Sequence, residues 1–382
     1  MTTRRPVPVT PPLSLYIHVP WCVRKCPYCD FNSHAVQNEI PEQAYLSALL
    51  EDLDQDLALA SGRTVETVFI GGGTPSLMSG NFYHRLFDGL RKRLTFADDA
   101  EITLEANPGT LEEGRFEAFR EAGINRLSIG VQSFNSAHLK ALGRIHDSAA
   151  AHRAIEAAKK AGFDNFNLDL MHGLPGQTPG NALEDLKMAM SHKPPHLSWY
   201  QLTLEPNTEF YSRPPDLPDD DRLWEIAQTG GEYLLKHGFS DYEISAWCQK
   251  GKASRHNVNY WTFGDYMALG AGGHGKISLA DGTIKRYWKT RQPDAYLNRI
   301  GSRTAGSNRI ETEELPLEFL MNALRLRDGV AEDVFSDRTG LPLTDVAVQL
   351  QKLREDKLLV SDRLQATSLG QRYLNSLLER FL

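Results

Sequence analysis

Strand-like and helix-like segments alternate through the first part of the chain, and this alternation limits the fold more than any other feature. Short β-branched runs predict strands at residues 15–19, 65–70, 102–105, 126–131, 166–170 and 197–204. Amphipathic stretches predict helices at residues 42–60, 81–94, 111–122, 148–161 and 181–191. Successive strands begin about 25 to 50 residues apart, which is the rhythm of βαβ units in a parallel sheet.

A doubly wound open sheet and a TIM-like barrel share this rhythm, so the spacing alone does not choose between them. Polar or glycine-rich residues follow each predicted strand directly, as in barrels, whose sites lie at the carboxyl ends of the strands. A complete barrel of this type has about eight strands, and only six are found here. We therefore predict an α/β fold with a partial (β/α)6 TIM-like barrel that is open along one side.

In the rest of the chain the amino-acid composition, and with it the predicted secondary structure, changes twice. A proline-rich loop at residues 206–221 precedes a predicted helix at 222–237 and a strand near 242–245, and the glycine- and aromatic-rich residues 248–285 predict irregular chain around a site. From about residue 310 the pattern predicts helices at 316–325, 330–339 and 343–356, short strands at 358–360 and 364–366, and a helix at 369–382. We predict three domains: the barrel (1–240), an extension that completes the site (241–309), and a mainly helical, winged-helix-like domain (310–382).

The charge balance argues against nucleic acid as a partner. The chain has 42 basic and 49 acidic side chains, a net charge of -7 that would repel a polyanion. Residues 311–382 contain 9 basic and 13 acidic residues, so a packing role is expected for the winged-helix-like domain.

No apolar run approaches the roughly 18 residues of a membrane span. No apolar signal core follows Arg4 and Arg5, which predicts a cytoplasmic protein. Peripheral membrane contact and the choice between monomer and homodimer stay open.

Three of the four cysteines form a Cys22-x3-Cys26-x2-Cys29 motif directly after the first predicted strand. Thiolates at this spacing can ligate three irons of one [4Fe-4S] cluster, and the fourth iron is left open for an exchangeable small molecule. Two other interpretations remain: a Cys3His zinc site with His18 or His34 as fourth ligand, and three structural thiols without a metal. The motif favours the cluster, because its spacing is highly specific, it stands at the carboxyl end of a strand, and neighbouring free thiols are prone to oxidation. A disulfide framework would instead spread its cysteines along the chain.

With Tyr28 before its last cysteine, this motif resembles that of the radical S-adenosylmethionine (SAM) enzymes. The resemblance implies a TIM-like barrel and a cluster whose open iron binds the amino and carboxylate groups of SAM, which the reduced cluster cleaves to a 5′-deoxyadenosyl radical. Four further motifs occur in order: Gly-Gly-Gly-Thr-Pro (71–75), Glu-Ala-Asn-Pro (105–108), Gly-Val-Gln-Ser-Phe (130–134) and Gly-Leu-Pro-Gly-Gln-Thr (173–178). Over nearly the whole chain they resemble the oxygen-independent coproporphyrinogen III oxidase-like family.

This resemblance implies two adjacent cofactor positions. Tyr16, Gly72 and Glu105 would line the SAM site, and the second position would be lined by Tyr28, Gly73, Thr74, Gln132, Arg144 and Asp169. The residue types suit the ligand: Glu105 can accept hydrogen bonds from ribose hydroxyls, Arg144 can pair with a carboxylate, and Tyr28 can pack on adenine. Each polar residue at a strand end could instead be a structural cap.

Two features distinguish the branches of this family. The oxidase carries a fourth cysteine where this chain has Phe31, so the resemblance favours the heme-chaperone branch, which delivers heme to acceptor proteins. The alternative is a radical SAM oxidoreductase that decarboxylates coproporphyrinogen III. The second feature, His-Asn-x-x-Tyr-Trp (256–261), resembles the heme-associated segment of that branch, which implies heme contacts from His256, Asn257, Tyr260 and Trp261. Cys248 and His274 are weaker heme ligand candidates, and His256 and Asn257 could instead satisfy backbone groups.

Overall fold

The main body of the molecule is one open, largely parallel sheet. The computed structural model describes residues 9–109 and 114–382. Over these ranges the strands are β1 (Leu13–Val19), β2 (Trp21–Cys22), β3 (His34–Ala35), β4 (Val65–Gly72), β5 (Phe96–Ala106), β6 (Arg126–Gln132), β7 (Phe166–His172), β8 (His196–Gln201), β9 (Ser240–Glu243), β10 (Ala246–Cys248), β11 (Asp265–Leu269), β12 (His274–Ser278), β13 (Ile284–Lys289) and β14 (Thr304–Arg309). The sheet order is β14-β13-β12-β11-β1-β4-β5-β6-β7-β8-β10-β9, and β2 pairs only with β3.

The strands from β11 to β8 in this order are parallel, and those beyond either end of this group are antiparallel. The six predicted barrel strands are all present, as β1 and β4 to β8. The fold is therefore α/β with a partial (β/α)6 barrel-like sheet, as predicted. It does not close into a barrel.

The helices follow the expected βα order. Their bounds are α1 (Glu42–Ala60), α2 (Gly80–Arg91), α3 (Phe116–Glu121), α4 (Ser136–Ala141), α5 (Ser148–Lys160), α6 (Pro179–Ser191), α7 (Glu209–Ser212), α8 (Asp220–Lys236), α9 (Arg255–Trp261), α10 (Pro293–Leu297), α11 (Leu315–Ala323), α12 (Asp333–Thr339), α13 (Ala347–Glu355), α14 (Ser368–Arg372) and α15 (Leu374–Leu378). Residues 111–113 of the helix predicted at 111–122 lie outside the described residues, and α3 forms within the described part of it.

Alternation along the barrel strands separates an apolar outer face from a polar inner one. In β1, Leu15 and Ile17 are fully buried in the core formed by sheet and helices. Ser14 points the other way and its hydroxyl hydrogen-bonds to Thr67 Oγ1 of β4 at 2.7 Å. Because the inner face of the sheet is polar, its strand ends can present hydrogen-bonding side chains to a ligand.

The prediction of irregular chain at residues 248–285 is wrong. This stretch contains α9, β11 and β12, and β11 pairs in parallel with β1, with Asp265 beside Leu13. Its glycines suggested turns, but Gly275 lies inside β12. Glycine is needed at this position because a Cβ there would come within 2.3 Å of the Tyr287 ring. The Tyr287 hydroxyl in turn accepts a 2.9 Å hydrogen bond from the Ala268 amide, so close aromatic packing explains this composition.

The C-terminal part is helical and has its own apolar core, which includes Phe319, Phe335 and Leu353. The two short strands predicted here form only isolated antiparallel bridges, Leu359 with Ala366 and Val330 with Leu364. The predicted final helix is divided into α14, α15 and one 3-10 turn. The three domain boundaries remain predictions. Among the described residues, none of the helices combines the length and apolarity needed to span a membrane.

Candidate functional site

A cavity of about 330 Å³, called the first cavity here, lies at the carboxyl ends of the central parallel strands. Its wall contains the three motif cysteines and eight of the nine residues that the family resemblance assigns to SAM: Tyr28, Gly72, Gly73, Thr74, Glu105, Gln132, Arg144 and Asp169. The parallel register explains this convergence, because it places Glu105 beside Ser128 and Asp169 beside Ser198 on adjoining strands.

The cysteine loop begins at β2, where Cys22 is buried while Cys26 and Cys29 are half-buried. Each sulfur has a polar neighbour. Thr74 Oγ1 donates to Cys22 Sγ at 3.4 Å, Arg144 Nη1 donates to Cys26 Sγ at 3.7 Å, and Ser33 Oγ lies 3.7 Å from Cys29 Sγ. Burial raises the pKa of the Cys22 and Cys29 thiols above its usual value. Donors of this kind favour thiolates that ligate a metal.

The donor set fits an iron–sulfur cluster better than the zinc site that includes His18. The three thiols are free and line one cavity. Both ring nitrogens of His18 have partners, since Nε2 lies 2.9 Å from the Asn32 carbonyl and Nδ1 lies 3.0 Å from the Tyr16 hydroxyl. A histidine held on both sides is a poor fourth ligand. His34 Nε2 is hydrogen-bonded to Asn32 Oδ1 at 3.1 Å.

The glycine-rich turn fixes the side of the cavity next to the cysteine loop. Gly72 has φ +116°, and a Cβ there would lie 2.6 Å from the His18 ring. The Gly72 amide donates to Glu105 Oε2 at 3.1 Å, and the amides of Gly73 and Thr74 donate to the Val19 and Trp21 carbonyls at 2.7 Å. The turn therefore needs glycine for its packing against β1 and β2, and these three amides are engaged within the protein.

The cavity combines two half-buried carboxyl groups with the half-buried guanidinium of Arg144. Burial, together with the charge of Asp169, raises the pKa of Glu105 to about 8. Burial also raises the pKa of Asp169. Hydrogen bonds from Ser128 Oγ (2.9 Å) and Asn167 Nδ2 (2.8 Å) act in the opposite direction and lower it, but burial is the larger effect. Arg144 Nη2 donates to Asn107 Oδ1 at 2.6 Å and to the Gly130 carbonyl at 2.9 Å. Such a site suits a ligand that carries hydroxyl, amino and carboxylate groups together.

Gln132 occupies a left-handed backbone conformation, with φ 65°, at the end of β6. Its Oε1 accepts a 2.9 Å hydrogen bond from the Tyr200 hydroxyl. Strained backbone at non-glycine residues is concentrated at functional sites. The sequence interpretation gave no site role to several other lining residues, among them Asn107, Ser128, Gly130, Ser198 and Tyr200. Strand periodicity could have found Ser128 and Gly130, because they precede Gln132 by four and two residues on the same face.

The pKa of Glu105 makes stability depend on pH. The folded pKa of about 8 exceeds the ordinary value of 4.5, so the protonated carboxyl favours the fold and stability is lost as the pH rises through this window. Glu105→Gln stays neutral. In thermal unfolding without SAM, we expect its midpoint to exceed that of the parent chain increasingly as the pH rises from about 5 to 8.5. The exposed Glu117→Gln should follow the parent chain, and parallel pH profiles for parent and Glu105→Gln would refute the expectation.

A second cavity, of about 530 Å³, lies between β1, the cysteine loop and the antiparallel strands β12 and β13. Tyr16, the ninth residue assigned to SAM, lines this second cavity, and Phe31 lines both cavities. Tyr260 and His274 also lie in its wall.

The other heme candidates lie elsewhere. His256 is only 2% exposed, and its Nδ1 is hydrogen-bonded to Thr67 Oγ1 at 2.7 Å. Trp261 packs under the Arg325 guanidinium, 4.3 Å from the ring centre, and Asn257 hydrogen-bonds to Tyr242. Cys248 is buried in β10, on the far side of the parallel strands from β11.

A cysteine triad at the carboxyl edge of a partial (β/α)6 barrel defines the radical SAM class of proteins. Residues 16–189 match the Radical SAM superfamily, and residues 310–373 match the HemN C-terminal domain. The chain is 52% identical over 378 residues to heme chaperone HemW from Escherichia coli (strain K12), covering 97% of this chain and 98% of that protein. Identity to heme chaperone HemW from Haemophilus influenzae is 49% over 382 residues, covering 98% and 99%. The chain therefore belongs to the heme chaperone HemW family.

The fold has a solved counterpart. Coproporphyrinogen III oxidase (HemN) from Escherichia coli, a radical SAM enzyme, superposes with a TM-score of 0.82 at 24% identity, over 97% of this chain and 90% of that one. At this identity the likeness concerns the architecture only. Membership of the radical SAM superfamily implies a [4Fe-4S] cluster and SAM.

Proposed function

We propose that this chain is a heme chaperone on a radical SAM scaffold, which binds heme and delivers it to acceptor proteins in the cytoplasm. The observation that carries the proposal is the adjacency of two cavities. One is lined by the cysteine triad with Glu105 and Arg144. The other is lined by aromatic side chains together with charged and polar ones, and Phe31 lines both cavities. Relatives named heme chaperones, similar over nearly the full length, support it.

In this proposal Cys22, Cys26 and Cys29 hold the [4Fe-4S] cluster, and SAM occupies the first cavity. A reduced cluster supplies one-electron chemistry to SAM when both are bound. The side chains of the cavity bind and orient: Glu105 accepts from ribose hydroxyls and Arg144 pairs with a carboxylate. A volume of about 330 Å³ lies within the range of small-molecule sites.

The decarboxylase alternative is not favoured. Phe31 occupies the position where the oxidase family has its fourth cysteine, and it is 60% exposed at the border of both cavities, so it offers an apolar face there and no thiol. The chaperones named above are 52% and 49% identical, whereas the oxidase shares 24%.

The test is an anaerobic heme titration of cluster-reconstituted protein, followed by transfer to an apo-heme protein. We expect saturable binding of one heme per chain and loss of the heme absorbance from the chaperone as the acceptor gains it. A parallel incubation with coproporphyrinogen III, SAM and a reductant should leave the substrate unchanged. Weak, non-saturating heme uptake would contradict the proposal, and coupled loss of substrate with 5′-deoxyadenosine formation would establish the alternative.

A further inference from the structure

We propose that the second cavity is the heme site and that His274 is its axial iron ligand; this inference rests on the proposed function. The aromatic side chains of the wall come from β1, the cysteine loop, α9, β11 and β13. They are Tyr16, Phe31, Tyr260, Tyr266 and Trp288, with His274 at the edge. Flat apolar rings around a volume of about 530 Å³ suit a porphyrin, which is itself flat and largely apolar.

His274 is the histidine in this wall that is available to a metal. It is exposed at the start of β12, directly opposite Trp288 of β13 in the antiparallel register. The two rings lie 6.4 Å apart and within 28° of parallel. Within residues 9–109 and 114–382 its imidazole makes no hydrogen bond, whereas His18, the other histidine of this wall, is held through both nitrogens. A free imidazole beside a flat indole can approach the iron of a porphyrin stacked on that indole.

The surroundings of His274 favour the neutral form of its imidazole. Partial burial, and then the charges of Arg286 and Arg291, lower its pKa below the usual value. Neutral imidazole is the form that ligates iron. Arg291 lies exposed at the rim of the cavity, where its Nε donates to Asn32 Oδ1 at 3.1 Å. A guanidinium at this place can pair with the propionate carboxylates of heme while the ring system enters the cavity.

His256, the ligand suggested by the His-Asn-x-x-Tyr-Trp segment, is placed for another role. Its ring is packed between Phe69, 5.2 Å away, and Tyr260, 5.0 Å away, inside the polar interior of the sheet. Burial lowers its pKa to about 3, and His256 lines neither the first nor the second cavity. Iron could reach Nε2 only if this packing opened. We infer that His256 is a positioning residue, which supports the Tyr260 ring where Tyr260 forms part of the wall.

The experiment compares heme titrations of His274→Ala and His256→Ala with a matched control, His84→Ala, at an exposed histidine of α2. All are cluster-reconstituted and anaerobic, and binding is followed by Soret absorbance. His274→Ala should bind at least about tenfold more weakly, and added imidazole should restore the parent spectrum. His274→Cys should convert the spectrum to that of a thiolate ligand. His256→Ala, where it remains folded by near-ultraviolet circular dichroism, should keep the parent Soret position.

The outcomes separate this inference from the function on which it rests. If the parent chain binds heme and both His274 variants keep its affinity and spectrum, the ligand assignment is overturned while the chaperone proposal stands. A folded His256→Ala protein that loses the parent spectrum would overturn it as well. If the parent chain shows no saturable heme binding, the proposed function itself fails. A thiolate-type spectrum in His274→Cys supports the assignment even if His274→Ala is unstable.

Discussion

Cys26→Ser should leave the protein without an iron–sulfur cluster, whereas Cys248→Ser should reconstitute like the parent chain. The three thiols of the triad line one cavity, so the loss of any of them leaves two soft ligands where the cluster needs three. Cys248 is buried in β10, outside this cavity. Iron and acid-labile sulfide per chain, with the visible absorbance of the cluster, measure the result. We expect background values for Cys26→Ser and parent values for Cys248→Ser.

The iron, sulfide and zinc contents of the variants distinguish the metal as well as its ligands. Cys22→Ser and Cys29→Ser should match Cys26→Ser, because the cluster needs all three thiolates. One zinc per chain with no sulfide would instead point to the Cys3His site. Full cluster content in any of the three serine variants would show that the triad is not the ligand set. Circular dichroism is the control for folding, since cluster binding stabilises the loop by linkage.

The first cavity was largely predictable because it depends on local patterns and one general rule of parallel sheets. Glu105, Gln132 and Asp169 follow three separate predicted strands, and parallel strands bring their carboxyl ends to one edge. The structure places all three in one wall. Tyr200 lay inside a predicted strand, 68 residues from its partner Gln132. Its role depends on that long-range contact, which strand periodicity does not reveal.

The second cavity was not predictable in this way, because pairing between distant strands creates it. β11 adds to β1 in parallel although more than 240 residues separate them. That pairing places Tyr16 across from the extension rather than toward the first cavity. The sequence ranked His256 above His274, but its local pattern does not show which of the two imidazoles is accessible. Burial decides their accessibility, and burial depends on how α9 packs against β4.

Lys289→Met should destabilise the fold strongly. Lys289 is buried where β13 meets α1, and its ammonium lies 2.6 Å from both Asp52 and Asp56. Asp52 also accepts a 2.7 Å hydrogen bond from the Tyr296 hydroxyl. Removing the cation leaves two carboxylates facing each other in a dry site, for which the expected loss is about 3–5 kcal/mol of unfolding free energy. Urea unfolding followed by circular dichroism measures the loss. Lys187→Met, which removes an exposed partner of Glu184, should change it by less than about 0.5 kcal/mol.

The pH dependence of this stability loss tests whether the two unpaired carboxylates cause it. Burial already raises the pKa of Asp52, and Lys289 opposes that rise, so the variant's Asp52 should titrate at a still higher pH. A carboxyl group whose pKa is raised in the folded state destabilises the fold most at a pH above that pKa, where it is ionised. It destabilises the fold least at a low pH, where the group is protonated in both the folded and the unfolded state. The deficit of Lys289→Met should therefore shrink from about pH 8 to about pH 5, and adding Asp52→Asn should recover part of it. A stability loss that stayed constant with pH would refute this. It would mean that packing of the Lys289 side chain, rather than its charge, holds β13 and the wall of the second cavity against α1.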